Sequence, residues 1–506
     1  MVQIFYRGRL FARIPWQGGP ADLADCLAAA GAPADHPCGR HGKCGKCRVR
    51  AYGDLSEPSA AERALLSQRE LLEGVRLSCE AQIVGPHARI ELEEDGAPAI
   101  ETSLLHRSAE WAPWARGLGL AVDIGTTTAA AYLWDLETRA LLGVRACKNP
   151  QEIYGADVVS RLETSMGGGG QALQSALLRC LDQLARQLCR EARRSVDELG
   201  GGVITGNTVM LYLLHGLPVE EIALAPFAAR HLFGVFRPAA ELGLHWGRSC
   251  TLYIPPCISA YVGADISCGL LACDMLAARE GLLLADIGTN GELAFFTGRR
   301  LLCCATAAGP AFEGVGISCG SGAMEGAVEA VSLEEGHLRP HVIGGGPART
   351  LCGSGLLDAV YCLRQLGQLE ESGFLEAEEV PLGERVRLTR RDIRALQLAK
   401  AAVCAGMETL LHTAQAVPGR VCLAGGFGCR LSLESAAGIG LLPAALAARA
   451  EPAGNTAAAG ASLLLRSRAM TAEVERIAGL AETVELAANP LFQERFISDM
   501  ALEVIP

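Results

Sequence analysis

The sequence predicts a multidomain α/β protein, with a small mixed-sheet domain first and two larger lobes of like fold after it. Three observations carry that expectation. The chain has 506 residues, too many for one ordinary core. Cys38, Cys44 and Cys47 stand in a C-x5-C-x2-C loop rich in glycine, and Cys79 follows 32 residues later. A strand running into Asp-Ile-Gly-Thr occurs twice, at Asp123 and at Asp286, about 160 residues apart.

Residues 1–95 read as the first domain. Segments 2–5 and 12–15 suit a hairpin, 21–30 a short helix, 48–52 a strand, 62–72 a helix, and 75–78 and 88–92 two further strands. Strands crossed by one helix, with a cysteine loop between them, make a β-grasp ferredoxin domain. Four thiolates are what a [2Fe–2S] cluster takes. Gly39, Gly42 and Gly45 permit tight turns and bring backbone N–H groups towards the sulfurs. Zinc is the competing reading, but zinc sites usually come as two CxxC knuckles, and only Cys44 and Cys47 make one here. His36 and His41 read as solvated loop residues, because a Rieske site replaces two of the cysteines by histidine.

Composition narrows the function classes. Half the residues are hydrophobic and a fifth are charged, which excludes general disorder. With 45 basic and 56 acidic residues the net charge is −11. No dense basic block is present, so neither nucleic acid nor an anionic membrane surface is an expected partner. No apolar run is long enough to cross a membrane, and charges at Arg7 and Arg9 fall where a signal peptide would be apolar. The expected location is cytoplasmic. The other sixteen of the twenty cysteines lie in apolar segments and read as buried thiols, with Cys303-Cys304 as the adjacent pair to follow.

Residues 96–117 carry two prolines, two tryptophans and no clear period, which reads as a linker anchored by its two tryptophans and able to tether a swinging cluster domain. From residue 118 the character changes. An apolar strand ends in Asp123-Ile124-Gly125-Thr126-Thr127, and a return strand follows. Gly125 allows close approach, the threonine hydroxyls and backbone N–H groups suit phosphate oxygens, and Asp123 suits Mg²⁺ or its waters. Asp286-Ile287-Gly288-Thr289-Asn290-Gly291-Glu292 repeats the arrangement, and Gly425-Gly426-Phe427-Gly428 closes a third strand where flat adenosine can approach the backbone. Segments 173–193, 262–278 and 391–411 read as helices. The two Asp turns divide the remainder into a first lobe, 118–279, and a second lobe with a C-terminal tail, 280–506.

This ordered trio resembles the phosphate-1, phosphate-2 and adenosine motifs of the ASKHA superfamily, the actin-like, ribonuclease H-like ATPases and sugar kinases. Joined to a [2Fe–2S] domain, the chain resembles the reductive activators of corrinoid proteins. Asn149-Pro150-Gln151, Tyr154-Gly155-Ala156-Asp157, Thr205-Gly206-Asn207-Thr208, Tyr261-Val262-Gly263-Ala264-Asp265, Gly309-Pro310-Ala311-Phe312-Glu313-Gly314, Gln397-Leu398-Ala399-Lys400 and Gly454-Asn455 carry the likeness. The chain departs from some members in being shorter between the cluster domain and the first lobe.

The resemblance implies an ATP-hydrolysing enzyme that returns cob(II)amide to cob(I)amide for methyl transfer. It implies a corrinoid protein of a methyltransferase system as partner, a ferredoxin, flavodoxin or reductase as low-potential donor, and a homodimer as a possible assembly. The implied cofactors are a [2Fe–2S] cluster on Cys38, Cys44, Cys47 and Cys79, and ATP with Mg²⁺. Asp123 and Asp286 would position the metal, and Thr126, Thr127 and Thr289 would meet the β- and γ-phosphates. Asn290 or Glu292 would orient water, and Gly125, Gly288, Gly425 and Gly426 would let the nucleotide close. Gln151 and Asp157 are either substrate-side groups or a helix start. Glu313 lies either at the partner-facing rim of the cleft or in an ordinary turn. Two other classes fit the same residues: a small-molecule kinase with a regulatory iron–sulfur domain, and a nucleotide-sensing electron carrier.

Overall fold

The computed structural model describes the chain except residues 7–8, 31, 33–39, 41, 43–44, 46, 93–100 and 506. Cys38, Cys44, His36 and His41 therefore lie outside the described residues. The chain divides into two compact units, Met1–Ala97 with Pro150–Thr164, and Pro98–Asn149 with Ser165–Pro506.

The first unit holds a β-grasp sheet. Its strands are β1 (Val2–Tyr6), β2 (Arg9–Ile14), β3 (Ala21–Asp22), β4 (Arg48–Leu55), β5 (Val75–Leu77) and β6 (Gln82–Leu92), ordered β2-β1-β6-β4-β5 with β3 on β6. β1 and β6 run parallel, and the other pairs are antiparallel. The helix Leu23–Ala29 buries Leu23 and Leu27 against Val2, Ile4, Ile83 and Ile90. The register of β4 on β6 shifts between Gly53 and Leu55. Gly53 sits there at φ +95°, and a Cβ would lie 1.8 Å from the His87 carbonyl oxygen, so the bulge requires glycine.

The single helix expected over 62–72 is two. Ala60–Leu65 and Gln68–Leu72 are separated at Leu66, whose backbone is extended. Each has its own capping box, Ser59 with Glu62 and Ser67 with Glu70, so the second serine restarts the helix instead of extending it. Glu62 does more than cap. It is fully buried, is held by Arg76 through two 2.9 Å bonds, and accepts from the Leu77 N–H. Burial pushes its carboxyl up, but Arg76 and the Ser59 and Leu77 N–H groups more than offset this and hold it below the usual glutamate value. Removing one partner of such a pair costs about 3–5 kcal/mol. Glu62→Ala should therefore lower the denaturant concentration at which β4, β5 and β6 lose amide-exchange protection; unchanged protection there would contradict this.

The second unit contains two sheets of matched topology. β7 (Leu118–Ile124), β8 (Thr128–Asp135) and β9 (Ala140–Lys148) form an antiparallel meander. β10 (Leu199–Gly206) joins parallel to β7, and β12 (Thr251–Ile254) parallel to β10, with β11 (Val235–Pro238) at the edge. The second lobe repeats this with β13 (Leu282–Ile287), β14 (Gly291–Phe296) and β15 (Leu301–Thr306). Two small sheets then intervene, β16 (Ala327–Glu334), β17 (His337–Val342) and β18 (Thr350–Leu351), and β19 (Glu379–Pro381) with β20 (Arg387–Thr389). β21 (Arg420–Ala424) adds parallel to β13 and β22 (Ala450–Pro452) parallel to β21, while β23 (Ala481–Thr483) covers β15. The orders 9-8-7-10-12 and 15-14-13-21-22 are the same path, which is the ribonuclease H-like plan. Cys303 and Cys304 point to opposite faces of β15, each fully buried among apolar side chains, as buried thiols should.

Two helices cross between the lobes, Ala264–Ala272 and Thr456–Arg466. They approach so closely that a Cβ on Gly460 would lie 2.1 Å from the Cys268 carbonyl oxygen. Segment 101–117 is fastened to the two lobes through its two tryptophans and Arg107. Trp111 Nε1 donates to the Leu136 carbonyl and Trp114 Nε1 to that of Leu464, both at 3.0 Å. Arg107 pairs with Asp274 and Glu473. Buried indole N–H groups and a largely covered guanidinium demand such partners. The family segment around Gln397 and Lys400 is likewise structural here: both side chains, on the helix Arg390–Ala414, donate to carbonyls of the C-terminal tail at Met500 and Ala501.

Candidate functional site

Asp123 and Asp286 occupy equivalent places. Each is the next-to-last residue of the first strand of its meander, half-buried among otherwise buried neighbours, and followed by the Gly-Thr turn. The turns are held locally. Gly125 N–H donates to the Thr128 carbonyl at 2.8 Å, and Asn149 Nδ2 donates to the Gly125 carbonyl at 2.8 Å. Gly288 N–H donates to the Asn290 carbonyl at 3.0 Å. Asn207 Nδ2 reaches Thr126 Oγ1 at 3.1 Å while its Oδ1 caps the helix Thr208–His215.

The N-terminal ends of the two crossing helices meet these turns. Asn455 caps Thr456–Arg466 through the Ala458 N–H, and its Nδ2 donates to Asp123 Oδ2 at 2.9 Å. Asp265 lies in the first turn of Ala264–Ala272. Glu292, on β14 directly opposite Asp286, is buried. Helix N-termini carry partial positive charge and unpaired N–H groups, which suits an anion bound between them.

Four carboxylates of this region, Asp123, Asp286, Asp265 and Glu292, feel one another's charge. Burial raises Asp123 to about 6, and the Asn455 amide lowers it in part. Burial, then Asp123 and Glu313, raise Asp286 to about 7. Burial, then Asp286 and Asp123, raise Asp265 to about 8. Glu292 is pushed up by burial and then by the three aspartates. All the donors of this set are oxygens, the ligand type that suits Mg²⁺.

The sign of the resulting pH dependence follows. These groups hold protons more tightly folded than unfolded, so their contribution to stability is complete below the ordinary carboxylate range and is lost as pH rises through about 6 to 8. The thermal midpoint of nucleotide-free protein in chelator should therefore fall from about pH 5 to about pH 8, and Mg²⁺ should reduce that fall. A fall of the same size with and without Mg²⁺ would count against a metal at this cluster.

The threonines and glycines of the turns stand beside these carboxylates. Thr289 Oγ1 is buried with no hydrogen-bond partner among the described residues, an orphan that a phosphate oxygen would satisfy. Gly425, at φ +83°, places its backbone so that a Cβ would stand 2.6 Å from Asp286 Oδ1. Around Gly426 a Cβ would meet nothing within 4 Å, so the third turn is open on that side. ATP with Mg²⁺ fits this donor set. Glu313, in the turn Pro310–Glu313, joins the site: Thr127 Oγ1 donates to its Oε2 at 2.6 Å and the Thr289 N–H to its Oε1 at 3.1 Å.

Asp265 and Asn455 were not among the residues expected to act. Both stood in segments that carried the family likeness, and the missed signal was their position at a helix start beside a glycine, where a polar group faces the cleft. Asp157 takes the helix-start reading, since its Oδ1 accepts from the Ser160 N–H at 2.8 Å at the head of Val158–Thr164. In the first unit Cys47 and Cys79 bring their sulfurs within 3.2 Å, and the Ser78 N–H donates to the Cys47 carbonyl at 2.8 Å. Two thiols at that separation fit adjacent ligands of one small cluster.

Fold and site together define a two-lobed ASKHA protein with a ferredoxin-like N-terminal domain. A family model described as the RACo middle region matches residues 118–278, and one described as the C-terminal domain of RACo, the ASKHA domain, matches 280–505. The chain belongs to the RACo family. It is 30% identical over 414 residues to the corrinoid activation enzyme RamQ of Eubacterium limosum, covering 75% of this chain and 69% of that one. It is 27% identical over 325 residues to the Co(II) methylated amine-specific corrinoid protein reductase of Methanosarcina barkeri, covering 58% and 59%. A solved reductive activator for corrinoid,iron-sulfur protein superposes with a TM-score of 0.73 at 27% identity, over 100% of this chain and 99% of that one. Among the described residues no helix is long and apolar enough to cross a membrane.

Proposed function

We propose that the chain is an ATP-dependent reductive activator that passes one electron to a cob(II)amide in a corrinoid protein and so regenerates cob(I)amide. The observation that carries this reading is the presence, in one RACo-family chain, of a close thiol pair and of carboxylates and threonines of a kind that suits a metal–polyphosphate. The relatives' names supply the corrinoid partner.

A [2Fe–2S] cluster, when bound, supplies a one-electron carrier at about −400 mV if it is of the plant type. Cys38, Cys44, Cys47 and Cys79 would hold it. In the cleft, Asp123 and Asp286 would hold Mg²⁺ or its waters, and Thr126, Thr127 and Thr289 would present hydroxyl and N–H donors to the β- and γ-phosphates. Glu292, close to Asp286 and raised in pKa, is placed to hold a proton or orient water. Gly425 and Gly426 admit the adenosine. Nucleotide drives the partner only if it binds the closed lobes better than the open ones, which is what donors from both lobes on one phosphate chain provide.

The test is the fate of the γ-phosphate. Incubated with Mg²⁺–ATP and cob(II)amide-loaded corrinoid protein, the chain should release inorganic phosphate, and faster than without that partner. A phosphorylated small molecule as the product would instead favour a kinase, and no turnover at all would favour a nucleotide-sensing carrier.

A further inference from the structure

Glu313 makes contacts that its place in the chain does not require. The turn Pro310–Glu313 is bounded by Gly309 and Gly314, both at φ +76°. Its carboxylate accepts hydrogen bonds from the Thr127 hydroxyl in the first lobe and from the Thr289 N–H in the second. Those are the donors at the heads of the two Asp-Gly-Thr turns. A Cβ on Gly288 would lie 3.5 Å from Glu313 Oε1, so the carboxylate also lies over the backbone of the second turn. Its negative charge helps raise Asp286. The neighbouring Phe312 stacks on Phe427, ring centroids 4.3 Å apart and planes 17° from parallel, and Phe427 belongs to the third, Gly-Gly turn. One four-residue turn thus touches all three nucleotide motifs.

We infer that Glu313 is a phosphate surrogate: in the nucleotide-free chain its carboxylate occupies donors of both lobes, and the terminal phosphates of ATP displace it. This rests on the nucleotide reading above and deepens it. A carboxylate and a phosphate oxygen are both anionic acceptors, so Thr127 and Thr289 cannot serve both fully, and ATP exchanges one charge-assisted set for another. Displacement frees Pro310–Glu313 to move about Gly309, around which a Cβ would meet nothing within 4 Å. Gly314 is the fixed end, since a Cβ there would lie 2.4 Å from Ser321 backbone atoms. Phosphate occupancy is thereby converted into movement of a turn whose Phe312 leans on the adenosine motif. The same residue would act as ligand competitor and as reporter of bound nucleotide.

The inference gives a signed prediction. If Glu313 competes with phosphate, weakening it must tighten ATP binding; if it holds Mg²⁺ or only braces the turn, weakening it must loosen ATP binding or leave it unchanged. Glu313→Gln should bind Mg²⁺–ATP about tenfold more tightly than wild type by titration calorimetry on the full chain. Affinity for adenosine, which carries no phosphate, should not move. Amide exchange at residues 309–314 should rise when ATP is added to wild type and should already be high in nucleotide-free Glu313→Gln. Equal or weaker ATP binding by the variant overturns the surrogate role, as does an equal gain for adenosine. A wild-type chain that binds no ATP overturns the nucleotide reading itself, which keeps the two failures apart. Glu313→Ala checks that the gain comes from losing the carboxylate and not from a new glutamine contact, since it should show the same sign.

Discussion

Asp286→Ala should abolish the ATP-dependent step, by at least about 10²-fold in turnover, while leaving the visible spectrum of the cluster unchanged. The carboxylate stands at the head of the second Gly-Thr turn, beside the Gly425 backbone and among Asp123, Asp265 and Glu292. On the proposed reading its removal takes away a carboxylate that would hold Mg²⁺ or its waters. The same change should raise the thermal midpoint of the nucleotide-free chain near neutral pH, because it deletes one of several crowded, partly buried acids. A functional loss combined with a stability gain is what a site held ready for an absent cation gives, and what a merely structural aspartate would not. Asp286→Asn keeps the shape and removes the charge, and should show the same pair of effects. Loss of stability together with loss of turnover would assign Asp286 to the fold instead.

The second large effect is at the cysteines. Cys79→Ser or Cys47→Ser should bleach or destabilise the cluster and remove electron transfer, with nucleotide binding by the two lobes retained. The two sulfurs stand 3.2 Å apart at the junction of β5 and the turn before β6, carried there by the buried Glu62–Arg76 pair and the Leu77 N–H. A serine oxygen is a harder and less readily ionised ligand than a thiolate, so iron is held less well. An unchanged visible spectrum in both variants would remove them from the ligand set. Retained ATP affinity with no electron transfer would show that the two chemistries reside in separate parts of the chain.

Much of the architecture was legible because it rests on local rules. The two Asp-Ile-Gly-Thr turns each sit between a wholly apolar strand and its antiparallel return, and the matched contexts revealed two lobes where one copy would have meant little. The turn at Gly425 and Gly426 was legible as the close of an apolar strand, which ends at Ala424. Contacts distant in sequence were not. In the strap at 101–117 the tryptophans could be read as anchors, but nothing in its composition tells that Trp114 meets Leu464 or Arg107 meets Glu473. Asp265 was overlooked because its carboxylate becomes interesting only beside Asp286 and Asp123. Glu313 was left between a rim position and a simple turn for the same cause: both its donors, Thr127 and Thr289, are brought to it by the meeting of the lobes. The split of the helix over 62–72 was readable in retrospect, since Ser67 with Glu70 is a second capping box inside an apparently continuous pattern.

The most direct measurement follows both optical centres in one anaerobic reaction. The chain is reduced with a low-potential donor, freed of excess donor, and mixed with a corrinoid protein in the cob(II)amide form, with and without Mg²⁺–ATP. The account predicts cob(I)amide absorbance growing with ATP, accompanied by reoxidation of the cluster one electron for one, and little of either without ATP. Cob(I)amide formation at the same rate in both mixtures would contradict the coupling. Cluster reoxidation with no cob(I)amide from any of several corrinoid proteins would contradict the activator itself.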